Sequence, residues 1–124
     1  DASRAAQQPG ELLPAVRMAA GELNALGASG VPLSHRRLAI VFHQDALTGV
    51  LGNAEYHAKY GVDNPNIKVL GQLRRAGVQL YVCGQSLHDA GVSRDRVLSD
   101  VRVATDALIA LTTFQNNGYA LLSF

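Results

Sequence analysis

The sequence predicts a three-layer α/β sandwich around a mainly parallel sheet. Two observations carry this prediction. Short apolar runs alternate along the chain with segments of helical periodicity. The runs at residues 38–42 (LAIVF) and 78–83 (VQLYVC) show little polar alternation, which is typical of parallel strands buried on both faces. The chain has 124 residues, so we expect a single domain over residues 1–124.

The first half of the chain predicts two helices around one strand. From Glu11 the apolar residues recur at helical spacing, and this helix is expected to end near Gly27. The buried strand at residues 38–42 follows. Residues 45–61 are predicted as a second helix, with one apolar face and two glycines that weaken it. That face consists of Leu47, Val50, Leu51 and Ala54.

The second half repeats the alternation. Asn64 stands where a helix cap belongs and Pro65 at the first helical position, and Gly77 ends that helix. The strand at residues 78–83 leads into a short helical turn at residues 84–91.

The last quarter predicts three further elements. A brief strand is expected at residues 101–103, and Thr105 is positioned to cap a helix over residues 106–117. Residues 119–124 (YALLSF) are expected to form a final apolar strand.

Composition restricts the function. The formal charge of +1 argues against a nucleic-acid partner, and no apolar run approaches the ~20 residues that span a bilayer. Phosphate-binding glycine loops and the serine-hydrolase elbow are absent, and no histidine pair has metal-ligand spacing. We therefore expect no metal and no cofactor.

The candidate chemistry lies where strands end. Loops and helix N-termini converge at the carboxyl ends of parallel strands, and Cys83 and His43 each close one strand. A thiolate at a helix N-terminus is stabilised by unpaired N–H groups, and His43 could orient or deprotonate it. Two other readings stay open: free cysteines are often core residues, and His43 could be structural or solvent-facing.

Three further residues complete the candidate site. Gly84 allows close backbone approach to a sulfur or anion, and the N–H groups of Gly84 and Gln85 are expected to shape the site. Asn64 begins a helix that could bind an anion, although capping explains it fully.

Three stretches resemble the DsrE/DsrF-like (YchN-like) family of sulfur-relay proteins, most closely its exported single-domain branch. They are LAIVFHQDAL, YGVDNPNIKVLGQLRRAGVQLYVCGQSL and VATDALIALTTFQNNGYALL. The resemblance implies a five-stranded parallel sheet, a homo-oligomer such as a trimer or hexamer, and a persulfide-carrying cysteine at the position of Cys83. It also implies a periplasmic location, with the cytoplasm as the alternative.

One departure from the family pattern concerns the start of the chain. Family members have a strand immediately before the first helix, and Asp1 to Ser3 are similar to the exit of that strand. We expect either that this strand is missing here, or that a neighbouring chain or altered packing covers the gap, because unpaired buried backbone is costly.

The leading hypothesis for function is a sulfurtransferase-like carrier in which Cys83 accepts sulfane sulfur from a donor protein and passes it to an acceptor. The alternative is a non-catalytic module that binds a small anion or metabolite, or serves oligomeric assembly, with Cys83 structural.

Overall fold

The computed structural model describes all residues 1–124 and contains five α-helices and three β-strands. Their bounds are α1 Pro14–Ala28, β1 Ala39–Phe42, α2 Asn53–Tyr60, α3 Asn66–Arg75, β2 Gln79–Cys83, α4 Gly84–Asp89, β3 Arg102–Ala104 and α5 Ala107–Asn116. None of the helices is both long and apolar enough to cross a membrane.

The three strands form one parallel sheet in the order β1-β2-β3. Phe42 is opposite Val82, and Cys83 is opposite Ala104, so the carboxyl ends of the strands lie at one edge. The parallel α/β architecture predicted from the sequence is confirmed. The sheet has three strands rather than the five that the resemblance implied.

The two faces of the sheet have cores of very different size. A large cluster of 19 buried residues joins α1 and α3 to the face that carries Ile40 and Phe42. The opposite face holds a small cluster of Val41, Cys83 and Ala107, covered by α5. Cys83 therefore lies on the face of the sheet that has the smaller core.

Residues 119–124 do not form the predicted strand. Only their last residues are paired: Ser3 donates its N–H to the carbonyl of Phe124 (2.9 Å), and Phe124 donates to the carbonyl of Asp1 (2.9 Å). The residues at 118–121 have no neighbouring strand to bond with, and an isolated segment does not form a ladder.

The predicted helix over residues 45–61 is two elements. Gln44–Val50 is a 3₁₀ helix, and α2 begins at Asn53 after an extended break at Leu51 and Gly52. A Cβ on Gly49 would lie 2.4 Å from Cδ1 of Leu13, so this turn packs directly against the start of α1. That close contact explains a glycine that an isolated helix would disfavour.

Two details of the helix faces and caps differ from the prediction. Ala54 is exposed, and Tyr56 is the buried residue of α2. The cap of α5 is Asp106, not Thr105, because the Asp106 carboxylate accepts the N–H of Ile109 at 2.7 Å. Asp and Thr are both good capping residues, so the local sequence did not indicate which of the two caps the helix.

Candidate functional site

Cys83 occupies the junction between the sheet and a helix. It is the last residue of β2 and the N-cap of α4, and its Sγ accepts the backbone N–H of Ser86 at 3.4 Å. Gly84 and Gln85 begin α4, so their N–H groups have no carbonyl partner within the helix. Among the backbone N–H groups of this first turn, that of Ser86 is bonded to the sulfur.

The thiol is enclosed by apolar side chains. Cys83 is 5% exposed and packs with Val41 and Ala107, and α5 adds Leu111 and Phe114 around them. Burial of this kind is common for a core cysteine and restricts direct access of a reagent.

His43 lies next to Cys83 along the edge of the sheet. The register places Phe42 opposite Val82, so the residues that follow them end neighbouring strands. The Nε2 atom of His43 is 2.6 Å from Oδ1 of Asp1. Asp1 is fixed in turn by Ser123, whose hydroxyl donates to its other carboxylate oxygen at 2.8 Å.

The protonation state of His43 follows from its surroundings. Burial and then the positive charge of the Asp1 ammonium lower the pKa of His43 from its usual 6.5, against the opposing pull of the Asp1 carboxylate. The imidazole is therefore neutral at pH 7. It donates Nε2–H to Asp1, which leaves Nδ1 as the unprotonated nitrogen.

No hydrogen bond joins His43 directly to Cys83. Two hydrogen bonds through Ser86 connect the two strand ends instead. Gln44 donates its N–H to Oγ of Ser86 at 3.3 Å, and Ser86 donates its own N–H to Sγ of Cys83. Gln44 has φ 51°, a left-handed conformation that costs a non-glycine residue about 1 kcal/mol.

Gly84 is required by the packing of β3. A Cβ on Gly84 would lie 2.6 Å from the carbonyl oxygen of Ala104 and 3.0 Å from that of Thr105. The predicted close backbone approach exists, but the approaching group is the end of β3. The side chain of Gln85 is turned to the surface, where its Nε2 donates to Asp89 at 2.8 Å.

The side chain of Asn64 is bonded to other parts of the protein and is not free to bind an anion. Its Nδ2 donates to the carbonyls of Gly49 (2.9 Å) and Leu51 (2.8 Å), and its Oδ1 accepts both N–H and Nδ2–H of Asn66 (2.9 Å each). Every polar group of the side chain is engaged in buried contacts. The prediction of Asn64 as a substrate-binding residue is replaced by a structural role, and its bond to Asn66 caps α3.

Sequence reasoning missed three participants: Ser86, Gln44 and Asp1. The spacing of Ser86 carried a usable signal, because the third residue after an N-cap is the one whose N–H bonds to the capping side chain. The contact of Asp1 with His43 joins segments that are distant in the sequence. Neither this contact nor the positive φ of Gln44 had a local signal in the sequence. No group of three metal-ligating side chains converges anywhere.

The fold and the site together define a class: a parallel α/β domain with a cysteine at the carboxyl end of its middle strand, at a helix start. The sequence profile of the DsrE/DsrF-like family matches residues 4–124. The chain belongs to the DsrE/DsrF-like family, and this membership suggests a sulfur-relay-like role.

Structural comparison agrees with that assignment at the level of the fold. The chain is similar to a protein of unknown function, MTH1491, from Methanobacterium thermoautotrophicum. The TM-score is 0.67 at 18% identity, and the alignment covers 89% of this chain and 86% of that one. No curated protein matches the chain.

Proposed function

We propose that this protein is a sulfur carrier in which Cys83 accepts sulfane sulfur as a persulfide and delivers it to a partner protein. The observation that carries the proposal is the placement of Sγ at the start of α4, where the N–H of Ser86 points at it. Such donors stabilise a thiolate, which is the nucleophile in sulfur transfer. Membership of the DsrE/DsrF-like family supports the same role.

The chemistry balances without a cofactor. The Cys83 thiolate attacks the outer sulfur of a donor persulfide, a new S–S bond forms at Cys83, and the S–S bond of the donor breaks. The donor leaves as a thiolate with the bonding electron pair. We assign His43, neutral and one strand away, to receive the thiol proton on Nδ1, while the N–H groups of Gly84 and Gln85 hold the anionic sulfur.

Mass spectrometry after treatment with a persulfide donor tests the proposal. We expect an adduct of about 32 Da, one sulfur atom, on the Cys83 peptide, removed by a thiol reductant and absent in Cys83→Ser. The native protein should react faster than the same chain unfolded in urea. Failure of the native protein to react, when the unfolded chain is modified, would contradict the proposal.

One observation favours a second candidate, a non-catalytic binding or assembly module with a structural cysteine. Cys83 is only 5% exposed and has apolar neighbours on the α5 side. In this alternative, modification of Cys83 requires unfolding, so the urea comparison separates the two functions.

We propose that the working form is a homo-oligomer, a trimer or hexamer, that exchanges sulfur with donor and acceptor proteins. Two adjacent side chains on the outer face of α5, Leu108 and Ile109, are 77% and 57% exposed. Large exposed apolar side chains that lie together commonly mark a protein interface. The periplasmic location implied by the resemblance stays a prediction.

A further inference from the structure

Ser86 is bonded to the ends of two neighbouring strands at once. Its Oγ accepts the N–H of Gln44, just after β1, at 3.3 Å, and its own N–H donates to Sγ of Cys83, the last residue of β2, at 3.4 Å. The hydroxyl oxygen thus serves the first strand end and the backbone nitrogen serves the second. Gln44 keeps the hydroxyl oxygen at the carboxyl edge of the sheet.

The hydroxyl proton of Ser86 has no acceptor in the protein. The bond from Gln44 uses the oxygen as an acceptor, and the same oxygen donates to no other group. A serine in a helix often donates its hydroxyl to a carbonyl one turn back, but Ser86 makes no such bond. Its side chain is partly exposed, so the proton is available to a group bound at this edge.

The α5 side of Cys83 offers no donor to a charged sulfur. All its neighbours there are apolar or carry no donor that reaches the thiol: Val41, Ala107, Leu111 and Phe114. An unpaired charge in apolar surroundings is costly. Negative charge on a sulfur atom added to Sγ is therefore stabilised only toward the edge of the sheet, where the first turn of α4 begins.

We propose that Ser86 is the residue that makes the site specific for a persulfide: its hydroxyl donates to the outer sulfur of loaded Cys83, while its N–H stays on Sγ. The inference rests on the proposed sulfur-carrier function. When the Cys83 thiolate takes the outer sulfur of a donor persulfide, the departing donor thiolate takes up the persulfide proton, and the negative charge is left on the outer sulfur.

The covalent geometry brings that sulfur close to the hydroxyl. An S–S bond is about 2.05 Å long, and the N–H that Sγ already accepts belongs to the same residue as the hydroxyl. A hydrogen bond to a charged acceptor is stronger than one between neutral groups. Because this bond forms only when the outer sulfur is present, it stabilises loaded Cys83 relative to the free thiol.

Equilibration with a small-molecule persulfide tests the role of Ser86. The folded protein is mixed with glutathione persulfide and a fixed excess of glutathione. Mass spectrometry of the intact chain then gives the ratio of protein with one added sulfur atom, about 32 Da, to protein with a free thiol. We expect Ser86→Ala to lower this ratio by about tenfold, since a hydrogen bond to a charged group is worth that factor or more. Ser86→Thr keeps the hydroxyl and should stay within about threefold of the parent.

Alkylation of the unloaded thiol separates this role from a general structural one. Iodoacetamide brings no outer sulfur, and the backbone N–H of residue 86 is kept in every variant. The alkylation rate should therefore change by less than about threefold in Ser86→Ala. Ser86→Val resembles Ser86→Thr in shape but lacks the hydroxyl, so this pair decides the question if the alanine variant does not fold. Ser29→Ala, at an exposed serine after α1, is the control and should load like the parent.

Each failure has its own meaning. A parent chain that never carries the added sulfur would overturn the sulfur-carrier function, and this inference with it. A parent chain that loads, with Ser86→Ala and Ser86→Val loading equally well, would overturn only the role of Ser86. Equal changes in loading and in alkylation would also overturn that role, because Ser86 would then act on the thiol itself and not on the outer sulfur.

Discussion

Asn64 and Asn66 form a buried amide pair that ties three segments together. Asn64 donates to the carbonyls of Gly49, in the 3₁₀ helix, and of Leu51, just after it. Oδ1 of Asn66 accepts the N–H of Leu13 at 2.8 Å at the start of α1. No buried side-chain nitrogen or oxygen in the molecule lacks a partner. The pair therefore positions the 3₁₀ helix that follows His43, although neither asparagine is hydrogen-bonded to the sulfur of Cys83.

We expect Asn66→Ala to lower the free energy of unfolding by roughly 3 kcal/mol. The substitution leaves the N–H of Leu13 buried without an acceptor. It also removes one of the two donors to Oδ1 of Asn64, since only the backbone N–H of residue 66 remains. Urea denaturation monitored by circular dichroism measures the loss. Asn116→Ala, at an exposed position in α5, is the control and should change stability by less than about 0.5 kcal/mol. Equal losses would contradict the role of the buried pair.

His43 gives the folded chain a defined pH response. Its folded-state pKa is lowered, mainly by burial, so below about pH 6.5 the unfolded chain binds a proton that the folded chain resists. Stability conferred by the neutral imidazole is complete above that pH and is lost as the pH falls through the lowered value. We expect the unfolding free energy to rise with pH in this window, and to rise less steeply in His43→Gln.

Urea titrations between about pH 5 and pH 7.5 on the two proteins measure this difference. The Asp1 ammonium also has a lowered pKa, but it is present in both chains and its contribution cancels to first order. Parallel pH profiles would show that His43 titrates alike in the folded and unfolded chains.

Among the elements, those with strong local signals were predicted well. α1, α3 and β2 combine a clear apolar period with punctuation by proline or glycine, and each lies within a few residues of its predicted bounds. The errors fall where a distant contact decides. The contact of Gly49 with Leu13 accompanies the break in the second helix, and the missing ladder partner leaves residues 119–124 without a strand.

The β2–α4 junction depends on a glycine that local sequence explains only partly. We expect Gly84→Ala to destabilise the fold by about 2 kcal/mol, because its Cβ would meet two backbone carbonyls at the end of β3 that cannot rotate away. Gly21→Ala in α1 is a matched control, since nothing lies within 4 Å of a Cβ there. Alanine has the higher helix propensity, so this control should gain about 0.5–1 kcal/mol.

Thermal and urea unfolding of the two alanine variants measure the contrast. Opposite signs are expected, with the loss confined to Gly84→Ala. A Gly84→Ala protein as stable as the parent would show that β3 moves away at little cost, and that the junction around Cys83 is looser than its packing indicates.

Across the whole molecule, the sequence located the edge that holds the candidate site but not its internal connections. Strand-end positions of His43 and Cys83 followed from the alternation of elements, and the register places them side by side. The burial of the sulfur under α5 and the bonds made by Asp1 and Ser86 depend on tertiary packing, which periodicity does not encode. The difference in size between the cores on the two faces of the sheet likewise could not be predicted from the periodicity of the sequence.

The helix that covers Cys83 also carries the most exposed large apolar side chain in the molecule, Leu108, which links access to the thiol with assembly. The inner face of α5 packs on the Cys83 cluster, while Leu108 and Ile109 face outward at 77% and 57% exposure. If α5 contacts another copy, we expect the parent chain to sediment as a trimer or hexamer.

The double variant Leu108→Glu, Ile109→Glu should sediment as a smaller species, because two charges would be buried at the contact. Leu33→Glu, at a 53% exposed leucine before β1, should leave the oligomer unchanged. Analytical ultracentrifugation of the three proteins decides the matter: a monomeric parent chain, or a double variant that still assembles, would rule out α5 as the interface.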